Sequence, residues 1–465
     1  MRFGDILGLG MIFLVIAYVG YHSTKIIKTT ADYTLAGNQV GLVKSCFSMA
    51  ATEFGSSSMI GVMALTYSIG ISGVWWDWVA VPAFLLLGFY FAGKIKLPNM
   101  VTITDYLQIR YDYKTKLLAS VLQIIAITTQ ISAQFMVCTA ALNGLFGLPT
   151  EIGLILLFAF VMIYITAGGF MAVTNTDAIQ FIMIVLSVII ILPIALYACG
   201  GFSHILTTLP KSYISFTQLS PLTLISWGLY SLFSYATSQH YMQRVFAAKN
   251  STIAKQSFLF TGFSYIFFGL IVSIIGLTIY ILIPGLDDPN IGYILLLKNY
   301  VPQGLAGLIL GGLFAAAMST AASMLMGAST LFLNDIYKPL IAKKQTDTQF
   351  LLSSRIITAL MCLASIFISL HVKNIVSIMY TGGLFYSTAV FFPLLLGMKW
   401  KKGTATGAFY SMIISVCIGV GIELYGSSIA IVSKIPSNII ACLFSLIIFI
   451  LLSILLPSKT SPSHT

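Results

Sequence analysis

Residues 51–58, with the sequence Ala-Thr-Glu-Phe-Gly-Ser-Ser-Ser, interrupt an apolar segment that is otherwise long enough to cross a membrane. A helix that served only as an anchor would need neither the carboxylate of Glu53 nor three consecutive serines. A charge at the centre of a bilayer costs at least ~2.5–3.5 kcal/mol, so the Glu53 side chain must face protein, water or a ligand. We therefore predict that this helix is broken at residues 51–58 and that the rest of the chain surrounds the break.

The composition around this stretch is that of a polytopic helical membrane protein. Of the 465 residues, 58% are hydrophobic and only 8% are charged, whereas about 25% of the residues of a soluble domain are charged. The alternating ten-residue segments of a membrane β-barrel are absent. Apolar runs of about 20 residues predict an all-α fold with about thirteen spans. The predicted spans are residues 4–21, 43–69, 73–93, 117–145, 150–168, 174–200, 220–246, 256–284, 303–333, 351–371, 374–398, 404–424 and 436–456.

The formal net charge of +11 is explained by the membrane and needs no nucleic-acid partner. If the N-terminus lies outside, 19 of the 24 lysines and arginines fall on the inner side of the predicted spans. This is the distribution that the positive-inside rule describes. We predict a multi-pass protein of the cell (inner) membrane, with its N-terminus outside and its C-terminus in the cytoplasm.

A second predicted span is interrupted in the same way as the first. Residues 220–246 carry Ser231, Ser234, Tyr235 and Gln239 within an apolar segment. The two interrupted spans are five apart in order, and such pairs are typical of inverted repeats with a binding site at mid-membrane. The predicted units are an N-terminal helix and loop (1–40), a first repeat (41–200), a second repeat (219–398) and two final helices with a short tail (399–465).

Other polar residues leave two interpretations open. The polar side of span 117–145, which includes Gln130 and Gln134, could line a cavity or bond neighbouring helices. Asp177 could complement a helix N-terminus or belong to a functional site. Ser319 and Thr320 lie in a run of small residues whose role could be close helix packing. No nucleophile–base pair, metal-spaced His or Cys cluster or phosphate loop is visible, so we do not expect an enzyme.

The order and spacing of several motifs resemble the sodium:solute symporter family, which includes sodium-coupled proline, sugar and sialic acid carriers. The motifs are Ala-Asp-Tyr-Thr-Leu-Ala-Gly-Asn at 31–38, Ala-Gly-Gly at 167–169, Thr-Asp-Ala-Ile-Gln at 176–180, Gln239 with Gln243-Arg244, the run 316–323 and Asn-Asp-Ile-Tyr at 334–337. Asn38 stands where the family has an arginine. The resemblance implies the LeuT-type fold, whose core is two inverted five-helix repeats.

The resemblance also implies cation sites. A coupling sodium would be held by backbone carbonyls of Ala51, Phe54 and Ala316 and by the hydroxyls of Ser319 and Thr320. Freed carbonyls at a helix break suit such a cation. Some family members hold a second sodium at positions that correspond here to Asp177 and Ser323. Because Ala322 stands where such a site offers a hydroxyl, one sodium per solute is the expectation.

In this family the solute lies beside the broken helices. The corresponding residues here are Glu53, Ser57, Ser58, Asp77, Ser231, Ser234, Tyr235 and Gln239. Two acids beside one site favour an ammonium-bearing or hydroxylated solute, such as an amino acid, and would repel a simple anion.

The expected function is sodium-coupled import of a small organic solute by alternating access. Apart from the coupling sodium, no cofactor and no obligatory protein partner are expected. One alternative is proton coupling through Glu53. Another is a transporter-like membrane sensor, which would be expected to carry a cytoplasmic domain after residue 457.

Overall fold

The computed structural model describes residues 3–371, 375–425 and 435–456, and these residues form a bundle of α-helices. The α-helices are Phe3–Thr24, Thr30–Leu35, Leu42–Glu53, Val62–Ile69, Trp75–Trp78, Ala80–Tyr90, Ala92–Ile95, Ile103–Arg110, Tyr113–Phe146, Thr150–Ala198, Phe202–Thr208, Lys211–Ile214, Pro221–Thr237, Gln239–Ala247, Ser251–Leu282, Gly292–Tyr300, Leu305–Leu331, Lys338–Leu340, Asp347–His371, Ile375–Lys399, Ala405–Tyr425 and Ser437–Leu455. π-Helical turns occur at Ser57–Gly61 and Phe332–Tyr337. The predicted tail after residue 457 lies outside the described residues.

The predicted helical class is confirmed, but the number of thirteen spans is not. Within the described ranges, nine helices are long and apolar enough to cross a membrane. One of them, Thr150–Ala198, covers two predicted spans and bends at Gly169, whose backbone leaves the helical region (φ 50°, ψ −150°). A Cβ at Gly169 would lie 2.4 Å from the Tyr33 carbonyl oxygen, so this bend requires glycine.

Both interrupted spans are broken in the structure. In the first broken helix (residues 42–69), Leu42–Glu53 ends because Phe54 adopts ψ 47°. Gln134 accepts hydrogen bonds from the Ser56 amide (3.3 Å) and hydroxyl (2.7 Å), which satisfies backbone freed by the break. In the second broken helix (residues 221–247), Ser238 is extended (ψ 130°) between Pro221–Thr237 and Gln239–Ala247.

The helix Leu305–Leu331, here called the core helix, is the most deeply buried of the candidate membrane-spanning helices in the described ranges. Every residue from Ile309 to Leu331 is buried. Its small residues allow close packing, as at Gly307, where a Cβ would lie 2.0 Å from the Asp5 carbonyl oxygen of the N-terminal helix. The middle of the core helix lies against the first broken helix.

A buried ion cluster fixes the far end of the core helix. The Lys116 ammonium lies 2.6 Å from an Asp105 carboxylate oxygen and 3.0 Å from one of Asp335. Ser120 also donates to Asp335, at 2.5 Å. Because these residues come from three separate helical segments, the cluster joins the end of the core helix to residues 103–120.

Candidate functional site

The core helix meets the first broken helix through hydroxyl and carbonyl oxygens. The Ser319 hydroxyl lies 2.7 Å from the Ala51 carbonyl oxygen and 3.0 Å from that of Ala316. The Thr320 hydroxyl lies 2.8 Å from the Thr52 carbonyl oxygen and 3.0 Å from that of Ala316. Four of the five predicted sodium ligands are therefore adjacent, and the Thr52 carbonyl, which sequence analysis did not include, lies among them. We call Ala51, Thr52, Ala316, Ser319 and Thr320 the oxygen cluster.

Phe54, the fifth predicted sodium ligand, lies next to the oxygen cluster, and its contacts there are made by its aromatic ring. The ring stacks on Phe268, with centroids 4.0 Å apart, and on Tyr265, at 5.3 Å. Gly55 lies against the oxygen cluster, since a Cβ there would be 2.7 Å from the Thr320 hydroxyl oxygen. The backbone at the break therefore packs so closely against Thr320 that no side chain larger than hydrogen fits at Gly55.

A charged cluster lies one helical turn away along the first broken helix and the core helix, and it adds one charged residue each from Thr150–Ala198 and from the second broken helix. A terminal nitrogen of Arg244 lies 2.7 Å from Asp177, and Ser48 donates to the same carboxylate oxygen at 2.6 Å. Arg244 also donates to the hydroxyls of Thr52 and Ser323. The predicted second cation ligands, Asp177 and Ser323, are therefore brought together, with a guanidinium between them. We call Ser48, Asp177, Arg244 and Ser323 the arginine cluster.

Glu53 is held by two tyrosines of the second broken helix. Tyr235 donates to one carboxylate oxygen and Tyr241 to the other. The side chain is 9% exposed and makes no ion pair among the described residues. The two hydroxyls orient the carboxylate and leave its charge without a cationic partner.

Glu53 borders a cavity of ≈ 100 Å³ between the two broken helices. Five other predicted solute residues line it, namely Ser57, Ser58, Ser231, Ser234 and Tyr235. Gln130 and Gln134 also line it, as one interpretation of their span expected. Aromatic rings form much of the remaining wall; they belong to Trp76, Trp227, Tyr230, Tyr241 and Tyr265. No lysine or arginine is among the lining residues.

Two predicted solute residues do not line the cavity. Asp77 is fully buried, next to Ser58 and Tyr265, and does not reach the cavity. Gln239 points to a loop instead: its amide accepts from the Ile103 backbone and donates to the Val101 carbonyl, both at 2.9 Å. Since both ends of this amide are satisfied by backbone, we leave Gln239 out of the solute-binding set.

Sequence analysis missed the tyrosines that hold the site together. Tyr241 binds Glu53, and Tyr265 bonds Ser58 from the helix Ser251–Leu282. A signal was present for Tyr241, which lies six residues after Tyr235 in a broken helix already singled out. No comparable signal marked Tyr265, because one tyrosine in an apolar span is typical of helix packing.

Comparison with known proteins gives consistent results for sequence and fold. The model of the sodium:solute symporter family matches residues 33–415. The chain is 24% identical over 429 residues to a sodium/glucose cotransporter of Vibrio parahaemolyticus, covering 84% of this chain and 78% of the relative. It is 24% identical over 442 residues to the osmoregulated proline transporter OpuE of Bacillus subtilis, covering 88% and 86%.

Solved structures show the same architecture. A Na+-coupled sialic acid symporter in a substrate-bound outward-open state superposes with a TM-score of 0.89 at 20% identity, covering 99% of both chains. Mhp1, a nucleobase-cation-symport-1 family transporter, gives a TM-score of 0.59 at 12% identity, covering 91% of this chain and 93% of its own. These proteins share the LeuT-type fold, which confirms the predicted architecture, while the repeat boundaries stay a prediction.

The family match spans most of the chain and includes both broken helices and the core helix. Its members are multi-pass membrane transporters rather than enzymes, and sodium is their coupling ion. The chain belongs to the sodium:solute symporter family.

Proposed function

We propose that this protein is a sodium-coupled symporter that imports a small organic solute by alternating access. The observation that carries the proposal is the oxygen cluster, in which two hydroxyls of the core helix meet carbonyls at the break of the first broken helix. Small hard cations favour such oxygens, and a broken helix supplies them at the depth of the membrane. The cluster contains no charged side chain that would compete with the ion.

Sodium would couple to the solute through the broken helix itself. The backbone of residues 51–55 borders the ion, and Glu53, Ser57 and Ser58 border the cavity. An ion that orders the break also orders the cavity wall, so sodium raises the affinity for solute. By linkage, the solute raises the affinity for sodium by the same factor.

The cavity favours a solute that carries an ammonium group together with hydrogen-bonding groups. Glu53 supplies an unneutralised carboxylate, and the aromatic rings of Trp76, Trp227 and Tyr265 offer faces that attract cations. With no lysine or arginine in the lining to offset the Glu53 carboxylate, a simple anion would be repelled. An amino acid or an amine fits this lining better than a carboxylic acid.

One sodium ion per solute is the stoichiometry that the contacts favour. The Arg244 guanidinium already neutralises Asp177 and contacts Ser323. A second cation would have to displace a fixed one from a fully buried carboxylate. The cytoplasmic C-terminus and external N-terminus remain part of the proposal, supported by the distribution of basic residues.

The test of sodium coupling needs no knowledge of the solute. We expect sodium chloride to raise the thermal unfolding temperature of purified protein above that in potassium chloride at equal ionic strength, because a bound ligand stabilises the folded state. The variant Ser319→Ala with Thr320→Ala should lose this increase. Ser329→Ala is the matched control, since it removes a buried hydroxyl without a partner from the same helix.

A sodium-specific increase that survives in the double variant would overturn the assignment of the oxygen cluster. The same measurement, repeated with a panel of amino acids, amines, sugars and carboxylic acids, identifies the solute. We expect stabilisation by an ammonium-bearing compound only when sodium is present. Equal stabilisation in potassium at fixed pH would favour proton coupling through Glu53, and uptake of the compound into proteoliposomes would exclude a sensor without transport.

A further inference from the structure

A second cavity opens on the surface of the bundle and shares no lining residue with the solute cavity. It has a volume of ≈ 480 Å³ and is lined by Thr24, Met162, Ile163, Thr166, Ala167, Arg355 and Ala359. We call it the Arg355 crevice. None of these residues belongs to the oxygen cluster, the arginine cluster or the solute cavity.

The arginine in this crevice has no adequate partner in the described structure. Arg355 forms no ion pair there, and its one hydrogen bond is a long one of 3.5 Å to the Ala167 carbonyl oxygen. Its Nε atom is buried without a partner, and so is the hydroxyl oxygen of Thr166. A guanidinium within a membrane-spanning helix is costly unless an anion or water satisfies it.

The surroundings of the crevice are lipid-facing. Ile163 on its rim is 69% exposed, and Ile356 and Leu360, on the same helix as Arg355, are 52% and 57% exposed. Large apolar side chains exposed on a membrane protein contact acyl chains. An occupant of the crevice must therefore satisfy a guanidinium and also continue into hydrocarbon.

The crevice lies near the cytoplasmic end of the helices in the proposed orientation. Thr24 is the last residue of the N-terminal helix, and the exposed Lys25 and Lys28 follow it directly. No acid is among the residues that line the crevice, and Asp32 and Asp347, at the same end of the bundle, already accept hydrogen bonds. Asp32 accepts from the backbone of Lys28 and Thr29, and Asp347 accepts from Thr30. With an unpaired arginine in the lining, lysines at its edge and no acid among the lining residues, the crevice favours an anion.

We propose that the Arg355 crevice binds an anionic phospholipid of the cytoplasmic leaflet, with the headgroup phosphate on the Arg355 guanidinium and the Thr166 hydroxyl. The phosphate offers oxygens in the geometry that a guanidinium binds through two parallel hydrogen bonds. The acyl chains lie along the apolar surface formed by Ile163, Ile356 and Leu360. Basic pockets between membrane helices on the cytoplasmic side bind acidic headgroups in this way.

The test compares lipids of different headgroup on the intact protein. Purified protein in phosphatidylcholine nanodiscs is compared with protein in nanodiscs that also contain phosphatidylglycerol, by thermal unfolding and by native mass spectrometry of retained lipid. We expect phosphatidylglycerol to be retained and to raise the unfolding temperature. Arg355→Gln should weaken its retention at least about fivefold, the effect of one basic residue near an anionic surface.

Two further variants separate lipid binding from folding. Ala359→Leu fills the crevice and leaves Arg355 in place, so it should lose phosphatidylglycerol while the protein stays folded. Lys343→Gln removes one exposed positive charge from a loop at the same end of the protein and should change nothing. Equal retention of phosphatidylcholine, unchanged retention in Ala359→Leu, or stabilisation by inorganic phosphate to the same extent would each overturn the proposal. The sodium response of wild-type protein is measured separately, so failure here leaves the proposed transport function untouched.

Discussion

The oxygen cluster and the arginine cluster both contain residues of the first broken helix and of the core helix, one turn apart, yet they differ in charge. Four residues separate Ser48 from Thr52 and Ser319 from Ser323, a rise of about 6 Å along a helix. In the oxygen cluster the contacts among its members are all between neutral groups. In the arginine cluster a fixed guanidinium neutralises Asp177. A set of neutral oxygens can bind and release an ion. A buried carboxylate that is already paired with a guanidinium instead forms a fixed contact between helices.

Thr52 belongs to the oxygen cluster and also contacts two residues of the arginine cluster, Arg244 and Ser323, so the two clusters are coupled. Its carbonyl oxygen accepts from Thr320, and its hydroxyl lies 3.1 Å from that of Ser323. Movement at the ion position would therefore act on a residue that the arginine cluster holds in place. We infer that the arginine cluster is the fixed end against which the break at residues 54–56 opens and closes.

The largest expected effect, on protein stability, comes from removing the Arg244–Asp177 ion pair. Arg244→Gln leaves the Asp177 carboxylate buried without a cation, which costs ~3–5 kcal/mol. We expect a large fall in the unfolding temperature and in the yield of monodisperse protein. Combining Arg244→Gln with Asp177→Asn removes both charges and should recover most of the loss. If Arg244→Gln alone were as stable as wild type, the Arg244–Asp177 ion pair would not be what holds the arginine cluster together.

The next effect concerns the solute side of the break. Tyr241→Phe removes a hydroxyl that donates to the Glu53 carboxylate, and hydrogen bonds to charged groups contribute ~1.5–3 kcal/mol. Part of this loss should appear as weaker binding of the solute found in the screen, measured by titration calorimetry in sodium. Tyr293→Phe removes a buried hydroxyl without a partner and is the control. Equal affinities for the two variants would argue against Glu53 as the group that binds the solute.

A smaller effect is expected where the backbone approaches the ion. Gly55→Ala places a methyl group 2.7 Å from the Thr320 hydroxyl oxygen, and overpacking of this kind costs ~1–3 kcal/mol. The sodium concentration needed for half of the thermal stabilisation should rise accordingly. Gly61→Ala lies in the same broken helix with no atom within 4 Å of the added group, and it should leave the sodium response unchanged. Similar sodium dependence in the two variants would show that Gly55 does not border the sodium site.

The smallest effect on sodium binding is expected for Ser323, which lies one turn beyond Ser319 on the core helix. Ser323→Ala removes a hydroxyl of the arginine cluster but none of the oxygen cluster. Because Arg244 keeps Asp177 and Ser48 as partners, sodium should bind with unchanged affinity and with a Hill coefficient of about one. A clear loss of sodium affinity, or a Hill coefficient that falls from a higher wild-type value, would place a second sodium at Asp177 and Ser323.

The helical architecture and the position of the break could be read from the sequence because both are local properties. A charged residue followed by glycine and three serines cannot continue an apolar span unchanged, wherever the neighbouring helices lie. The same reasoning identified Ser231, Ser234 and Tyr235 in the second broken helix. The likeness of motifs to one family then supplied the partners of the break, Ser319 and Thr320.

The tertiary structure alone decided which groups meet. Glu53 had no identified partner in the sequence, since Tyr241 lies 188 residues away along the chain. Asp177 appeared free to bind a cation until folding brought Arg244, 67 residues away, onto its carboxylate. The Gln239 side chain does not line the cavity, because its amide group bonds the Ile103 N–H and the Val101 carbonyl instead. Residue type and spacing determine where a helix must break, but burial and hydrogen bonding between distant segments decide whether a polar group there is free to bind a ligand.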